Sequence, residues 1–142
     1  MSAGLLFDTN VLLDIACHDP VWFDWSNHQL AKASGHGLAT VNPIIYAELT
    51  NAFTTPESLA AWLNPSVFRL APLPYAACWL AGSAFVKYRK AGGTKTSPLP
   101  DFFIGAHAEC EGLSIVTRDT ARFRTYFPSV PLITPHTKIR WS

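Results

Sequence analysis

The feature that most constrains the fold of this chain is a regular alternation of short apolar segments with longer segments of helical pattern. The apolar segments are typical of buried strands, and they lie at residues 4–8, 38–41, 67–70, 114–117 and 131–134. The helical patterns lie between them, at residues 10–16, 22–33, 43–53, 56–63, 75–91, 101–111 and 120–126. Strands that alternate with helices form a parallel sheet covered on both faces. The sequence therefore predicts a single α/β domain over residues 1–142.

The composition supports a protein with a full core and excludes several classes. Hydrophobic residues make up 49% of the chain and charged residues 15%, which argues against disorder. No apolar run approaches the ~20 residues that span a bilayer, and the N-terminus lacks the pattern of a signal peptide. The cysteines Cys17, Cys78 and Cys110 are widely spaced, so we expect buried free thiols rather than a zinc site. These features together predict a cytoplasmic protein without a membrane segment.

The charge is unevenly distributed along the chain. Residues 1–71 carry two basic and six acidic side chains, a net charge of −4, whereas residues 72–142 carry nine basic and four acidic ones, a net charge of +5. Such asymmetry is a weak sign of an anionic partner. Taken alone, it is more often a mixed solvated surface.

Acidic side chains follow two of the predicted strands. Asp8 ends the first strand and Asp119 follows the fourth. The carboxyl ends of parallel strands meet at one edge of a sheet, which is where α/β proteins place their active sites. Either residue can instead be the N-cap of the following helix, a position that Asp fills well. Neither a GxGxxG nor a GxxxxGK[ST] pattern is present, so nucleotide-binding loops of those kinds are not expected.

Two further acids lie on predicted helices. Glu48 flanks the buried stripe of its helix, where a carboxylate is costly unless a cation pairs with it or it reaches solvent. Asp101 opens a helix after Pro98 and Pro100, where a capping role is the alternative. We expect His107 to be structural. The other acids nearby in sequence are expected at the surface, namely Asp14, Asp19, Asp24, Glu109 and Glu111.

These segments together resemble the PIN domain, and in particular the VapC-type toxins of bacterial toxin–antitoxin pairs. The matching pieces are Phe7-Asp8-Thr9-Asn10-Val11-Leu12, Tyr46-Ala47-Glu48-Leu49, Pro100-Asp101-Phe102-Phe103-Ile104-Gly105-Ala106 and Val116-Thr117-Arg118-Asp119-Thr120-Ala121-Arg122-Phe123. Their order and spacing fit along nearly the whole chain. One departure is the pair Phe102-Phe103, where small residues are more usual in the family.

The resemblance implies a fold and a site. It implies a five-stranded parallel sheet of order 3-2-1-4-5, with strands one and four side by side. It assigns an acidic quartet that binds Mg²⁺ or Mn²⁺, namely Asp8, Glu48, Asp101 and Asp119. In the same comparison Thr117 is the small polar residue beside the last acid, and Asn10 is the residue that orients Asp8.

The resemblance also implies an activity and partners. The expected activity is a metal-dependent endoribonuclease, and the expected partners are RNA, a small antitoxin that blocks the site and a second copy of the chain. Trp22, Trp25 and Trp62 could form the protein contact or lie in the core. The basic side chains expected to follow the RNA backbone are Lys87, Arg89, Lys90, Lys95, Arg118 and Arg122.

Two alternatives stay open at this point. One is a non-catalytic PIN-like module that binds RNA or protein. The other is a metal-dependent phosphatase with Asp8 as nucleophile, which requires an Asp-x-Asp motif, whereas residue 10 is Asn.

Overall fold

The computed structural model describes residues 4–34 and 39–135. Within these ranges five parallel strands form one sheet in the order β3-β2-β1-β4-β5. The strands are β1 (Leu5–Phe7), β2 (Ala39–Val41), β3 (Phe68–Leu70), β4 (Ser114–Val116) and β5 (Leu132–Ile133). This order confirms the predicted fold class. Residue 38, predicted to begin the second strand, lies outside the described residues.

The helices connect the strands and cover the sheet. They are α1 (Thr9–Ala16), α2 (Phe23–Ser34), α3 (Pro43–Leu49), α4 (Pro56–Trp62), α5 (Tyr75–Lys90), α6 (Pro100–Glu111) and α7 (Ala121–Tyr126). Their bounds lie within one residue of the predicted ones, apart from the end of α3. The sequence predicts that this helix continues to Phe53, but a 3₁₀ turn over Thr50–Ala52 replaces its last part. The Thr50 hydroxyl donates to the Ala47 carbonyl at 2.8 Å, a local bond that competes with regular helix.

The register of the central strands positions the candidate site. β1 lies between β2 and β4, and its residues Leu6 and Phe7 are fully buried. Phe7 pairs with Val116 on β4, so the next residues, Asp8 and Thr117, leave the sheet side by side. Asp8 N donates to the Val116 carbonyl at 2.9 Å, which continues the ladder by one bond. The carboxyl edge of β1 and β4 is therefore fixed by buried apolar strands.

No helix within the described ranges is long and apolar enough to cross a membrane. Cys17, Cys78 and Cys110 are free thiols, as predicted, but the expectation that they are buried is wrong, because Cys17 is exposed and the other two are half-buried.

Candidate active site

Asp8 lies at the centre of the carboxyl edge and is 5% exposed. It is the N-cap of α1, and its Oδ1 accepts from Thr9 N at 2.8 Å. Its Oδ2 accepts from the Thr117 hydroxyl at 2.7 Å and from Asn10 Nδ2 at 3.3 Å. Asp8 can therefore cap α1 and belong to an acidic site at the same time, because its two carboxylate oxygens have different partners.

Glu48 reaches the same edge from α3 and is half-buried. Its Oε1 accepts from the Thr9 hydroxyl at 2.5 Å, so one residue of α1 links Glu48 to Asp8. The start of α3 is fixed by Asn42, whose Oδ1 accepts from Ile45 N at 2.9 Å. The Asn42 amide also lies 3.0 Å from Nδ1 of His107 on α6. This buried contact gives His107 the structural role expected from the sequence.

Asp101 and Asp119 complete the acidic edge. Asp101 lies in the first turn of α6, where Pro100 begins the helix and the dipole favours a negative charge. Asp119 is exposed in the loop after β4, and its backbone N donates to Thr117 Oγ1 at 3.0 Å. The Thr117 side chain thus connects the buried Asp8 carboxylate with the loop that carries Asp119.

The acids affect one another electrostatically. The pKa of Asp8 is raised to about 7, mainly by burial and also by the charges of Asp101 and Glu48, while hydrogen bonds from Thr117 and Thr9 partly oppose the rise. Burial also raises the pKa of Asp101, as do the charges of Asp119 and Glu48, while Arg122 lowers it. Carboxylates that converge and destabilise one another's charged form are typical of functional sites.

The residues fit a hard divalent cation by their chemistry. Within the described ranges, no three side chains of His, Cys, Asp or Glu are already arranged to hold one ion together. Mg²⁺ needs only one or two protein carboxylates, because waters and substrate phosphate complete its oxygen shell. Burial and, to a lesser extent, mutual repulsion raise the pKa of Asp8 and Asp101, and a bound cation would stabilise the charged form of both. The structure therefore presents a suitable donor set of oxygens.

Arg118 and Arg122 are the basic candidates that the structure places at the acids. Arg122 Nε lies 3.8 Å from Asp101 Oδ2. Arg118 instead forms a two-pronged ion pair with Asp14 on α1, through Nε at 2.8 Å and Nη2 at 2.9 Å. Asp14 is only 3% exposed, so the expectation of a surface role for it is wrong. Its Oδ2 also accepts from the buried Ser26 hydroxyl at 2.7 Å, and this shared burial explains the difference.

The other basic candidates lie farther along α5 and in the loop after it. Arg89, Lys90 and Lys95 are exposed, and Arg89 Nη1 donates to the Lys95 carbonyl at 2.5 Å. Lys87 lines a separate depression together with Glu109. The structure thus brings two of the six basic candidates directly to the acidic edge.

A family model of the PIN domain matches residues 5–127. The chain belongs to the PIN-domain family. No curated protein sequence matches the chain at a significant level.

Solved structures give the same fold for this PIN domain. A chain of VapBC2 from Rickettsia felis, bound to a DNA fragment from its promoter, has a TM-score of 0.69 at 18% identity, covering 92% of this chain and 97% of its own. A chain of FitAcB from Neisseria gonorrhoeae has a TM-score of 0.65 at 20% identity, covering 93% and 98%. A chain of VapBC-1 from nontypeable Haemophilus influenzae has a TM-score of 0.66 at 16% identity, covering 92% and 96%.

The structure adds residues to the site of this PIN domain that the sequence did not single out. Thr9 holds Glu48, and Asp14 holds Arg118 between Thr117 and Asp119. The second pair has a further neighbour, which is visible only in the structure. Trp22 lies under the Arg118 guanidinium, 5.0 Å from it, and such a cation held over an aromatic ring is a fixed group rather than a freely solvated one.

The departure at Phe102-Phe103 has a packing reason. Phe102 is fully buried and makes edge contacts with Tyr88 and Tyr126, at 5.7 and 5.3 Å between ring centroids. The bulk at this position builds an aromatic cluster under the start of α6. The residue after Asp101 is therefore a large, buried side chain at a position where the resemblance led us to expect a small one.

Proposed function

We propose that this PIN domain is a metal-dependent endoribonuclease that cleaves phosphodiester bonds at the edge formed by Asp8, Glu48, Asp101 and Asp119. The observation that carries the proposal is the electrostatic coupling of these acids around a buried Asp8, whose pKa is raised to about 7. Clustered carboxylates in a partly buried site lower the stability of the folded domain. Their presence is therefore expected to reflect a function.

The four acids are proposed to hold Mg²⁺ or Mn²⁺. When bound, the ion supplies a water of lowered pKa and neutralises charge on the phosphate. Thr117 and Asn10 keep Asp8 Oδ2 in position, and Thr9 keeps Oε1 of Glu48 in position. Asp119 is the exposed member of the set and lies where substrate can reach it.

RNA is the proposed substrate because a polyanion needs positive charge around an acidic centre. Arg122 lies at the acids, and Arg89, Lys90 and Lys95 are exposed at the end of α5 and in the loop that follows. Arg118 is also part of the proposal, although its guanidinium is paired with Asp14. Its contribution is therefore expected to be mainly to hold the loop of Asp119. Lys87 lines a separate depression and remains a proposed contact.

The phosphatase alternative is weakened by the contacts of residue 10. Asn10 donates to Asp8 and accepts from Arg118 N at 3.4 Å, so it orients an acid and the β4–α7 loop. An acid in its place is what a phosphatase of that kind would need. The non-catalytic alternative requires no coupling among the four acids, so their coupling favours the catalytic proposal.

The direct test is cleavage of total RNA by metal-stripped protein, with Mg²⁺ or Mn²⁺ added back. Asp8→Asn keeps the shape of the side chain and should lose cleavage, whereas Asp24→Asn, on the exposed face of α2, should retain it. A parallel assay with a small phosphomonoester separates a phosphatase. Release of phosphate without shortening of RNA would refute the nuclease proposal.

We also propose a small antitoxin and a second copy of this chain as partners in the cytoplasm. The support is that VapBC relatives in fold were solved as complexes, and that α5 presents exposed apolar side chains. Trp79 is 76% exposed and Tyr75 94%, and with Val86 they share one helix face. Trp25 and Trp62, in contrast, pack partly buried against the core.

The partner proposal is tested by the mass of the protein in solution and by its toxicity to the cells that express it. Light scattering should give twice the chain mass for wild type and the single mass for Trp79→Glu. The matched control is Val21→Glu, an exposed apolar position outside α5 that is 73% accessible. A monomeric wild type that is harmless on expression would count against both partners.

A further inference from the structure

A cleft opens directly beside the acidic edge of this PIN domain. It has a volume of about 400 Å³ and is lined by Tyr88, Arg122, Thr125 and Tyr126 together with Asp101 and Asp119. Pockets of about 300–1,000 Å³ are the usual size for small-molecule groups. Any group seated in this cleft would lie next to two of the proposed metal ligands.

Arg122 is held in this cleft by three contacts. Its guanidinium carbon lies 5.2 Å from the centroid of the Tyr88 ring and 5.4 Å from that of Phe102. Its Nε lies 3.8 Å from Asp101 Oδ2, and the side chain is 32% exposed. The guanidinium is thus supported by two rings and an acid, while about a third of the side chain stays accessible.

The rings below Arg122 are themselves fixed. Tyr88 receives a hydrogen bond on its hydroxyl from Lys95 N at 3.2 Å. A Cβ added at Gly93 would come within 2.3 Å of the Tyr88 ring, which shows how closely the loop packs on it. Phe102 and Tyr126 meet edge to face at 67°. Because these side chains are already fixed without a ligand, they lose little conformational entropy on binding. This favours recognition of a flat group.

The chemistry of the cleft suits a nucleobase better than a phosphate. Asp101 and Asp119 repel an anion, and the charge of Arg122 is partly balanced by Asp101. Single-stranded RNA is recognised by stacking of its bases on aromatic rings and on guanidinium planes, and base amino groups donate to carboxylates. Thr125 donates its own hydroxyl to the Ala121 carbonyl at 2.9 Å, so its oxygen is available to accept.

We propose that the cleft takes one unpaired nucleobase of the RNA strand, next to the phosphate that is cleaved, with Arg122 and Tyr126 as its stacking surface. This inference rests on the proposed ribonuclease function and assigns Arg122 to a base rather than to the backbone. It also accounts for the bulky Phe102, which supports the guanidinium from below. The substrate it predicts is single-stranded, because a base in a duplex cannot enter.

The test is an abasic scan. The cleavage position in an unstructured RNA oligonucleotide is mapped, and each nucleotide around it is then replaced in turn by an abasic ribose. Loss of one stacked base should lower kcat/KM of the wild type about 5- to 150-fold at a single position next to the cut. Arg122→Met and Tyr126→Leu should lose activity on intact RNA but little more on that abasic RNA, because both changes remove the same contact.

The controls separate the outcomes. Arg124→Met, an exposed change on the same helix, should behave as wild type on both substrates. Equal cleavage of intact and all abasic RNAs by the wild type would overturn the base cleft and leave the nuclease proposal standing. An Arg122→Met loss of the same size on intact and abasic RNA would mean a backbone contact and would likewise overturn it. Failure of the wild type to cleave any RNA would overturn the nuclease proposal and the cleft with it.

Discussion

The Asn42 amide lies 3.0 Å from Nδ1 of His107 and joins the helix that carries Glu48 to the helix that carries Asp101. Asn42 Oδ1 accepts from Ile45 N, so the amide nitrogen is the group that faces the ring and Nδ1 of His107 accepts. Burial lowers the pKa of His107, in keeping with a neutral ring. The contact therefore sets the spacing of two candidate acids from within the core.

Asn42→Ala should destabilise the protein by about 2–4 kcal/mol in urea unfolding. The change removes a helix cap, worth about 1 kcal/mol, and leaves the buried His107 Nδ1 without its donor, at a further cost of about 1–3 kcal/mol. Thr55→Ala is the matched control, because Thr55 caps the exposed start of α4 with local partners alone. Equal losses for both variants would mean that the Asn42–His107 contact contributes nothing beyond capping.

The alternation of strands and helices was enough to predict the α/β class, and the resemblance to the PIN domain supplied the strand order and the four candidate acids. The strands are short, buried and separated by clear helical patterns, so alternation predicts a parallel sheet. The register of Phe7 against Val116 could not be read from the pattern, although it decides that Asp8 and Thr117 leave the sheet together. The roles of the four acids and of the basic residues stay predictions.

The polar network behind the acids could not be predicted, because it depends on contacts between distant parts of the chain. Asp14 and Arg118 are 104 residues apart in sequence and meet only after α1 and β4 have packed. Asp14 lies three residues after the buried Val11, but this spacing alone does not distinguish a buried carboxylate from one that reaches solvent. Thr9 likewise meets Glu48 across 39 residues.

The Asp14–Arg118 pair should matter for both stability and cleavage. Arg118→Lys loses the two-pronged contact with a buried carboxylate, which should cost about 1.5–3 kcal/mol of unfolding free energy. Because Arg118 lies between Thr117 and Asp119, the variant should also cleave RNA more slowly under conditions where it is fully folded. Arg124→Lys, exposed on α7, is the control for charge in this region. Full activity of folded Arg118→Lys would show that the Asp14–Arg118 pair is not needed for cleavage.

Asp8 should make the metal-free protein less stable as pH rises. Its pKa is raised from 3.8 to about 7 in the folded state, so the folded protein holds a proton that the unfolded chain has released between these values. The stabilisation from that proton is complete below about pH 3.8 and is lost as pH rises through about 7. In chelator, the free energy of unfolding of Asp8→Asn should therefore rise relative to that of wild type as pH increases. At pH 8 the variant should be more stable by about 1 kcal/mol or more.

The measurement is a set of urea unfolding curves at pH 5 to 8 in chelator. Asp24→Asn, an exposed carboxylate on α2, should stay within about 0.5 kcal/mol of wild type at each pH. A difference between Asp8→Asn and wild type that does not change with pH would show that Asp8 acts as a helix cap alone.

The exposed basic residues should control the salt dependence of RNA binding. Arg89→Gln combined with Lys90→Gln should weaken binding and flatten the slope of log K against log salt by about one unit for each lost contact, or slightly less for single strands. Lys32→Gln, an exposed change at the end of α2, is the control. An unchanged slope in the double variant would assign Arg89 and Lys90 to an ordinary solvated surface.

The proposed action of the acids around Asp8 through a divalent cation can be measured by titrating Mn²⁺ into one metal-stripped sample while melting temperature and RNA cleavage are both followed. A ligand that binds the folded state alone raises the melting temperature by mass action. We expect Mn²⁺ to raise the melting temperature of the wild type over the same concentration range in which cleavage appears, and Asp8→Asn to show neither response. Cleavage that persists in chelator, or that proceeds in millimolar Mn²⁺ while the melting temperature of the wild type stays unchanged, would contradict it.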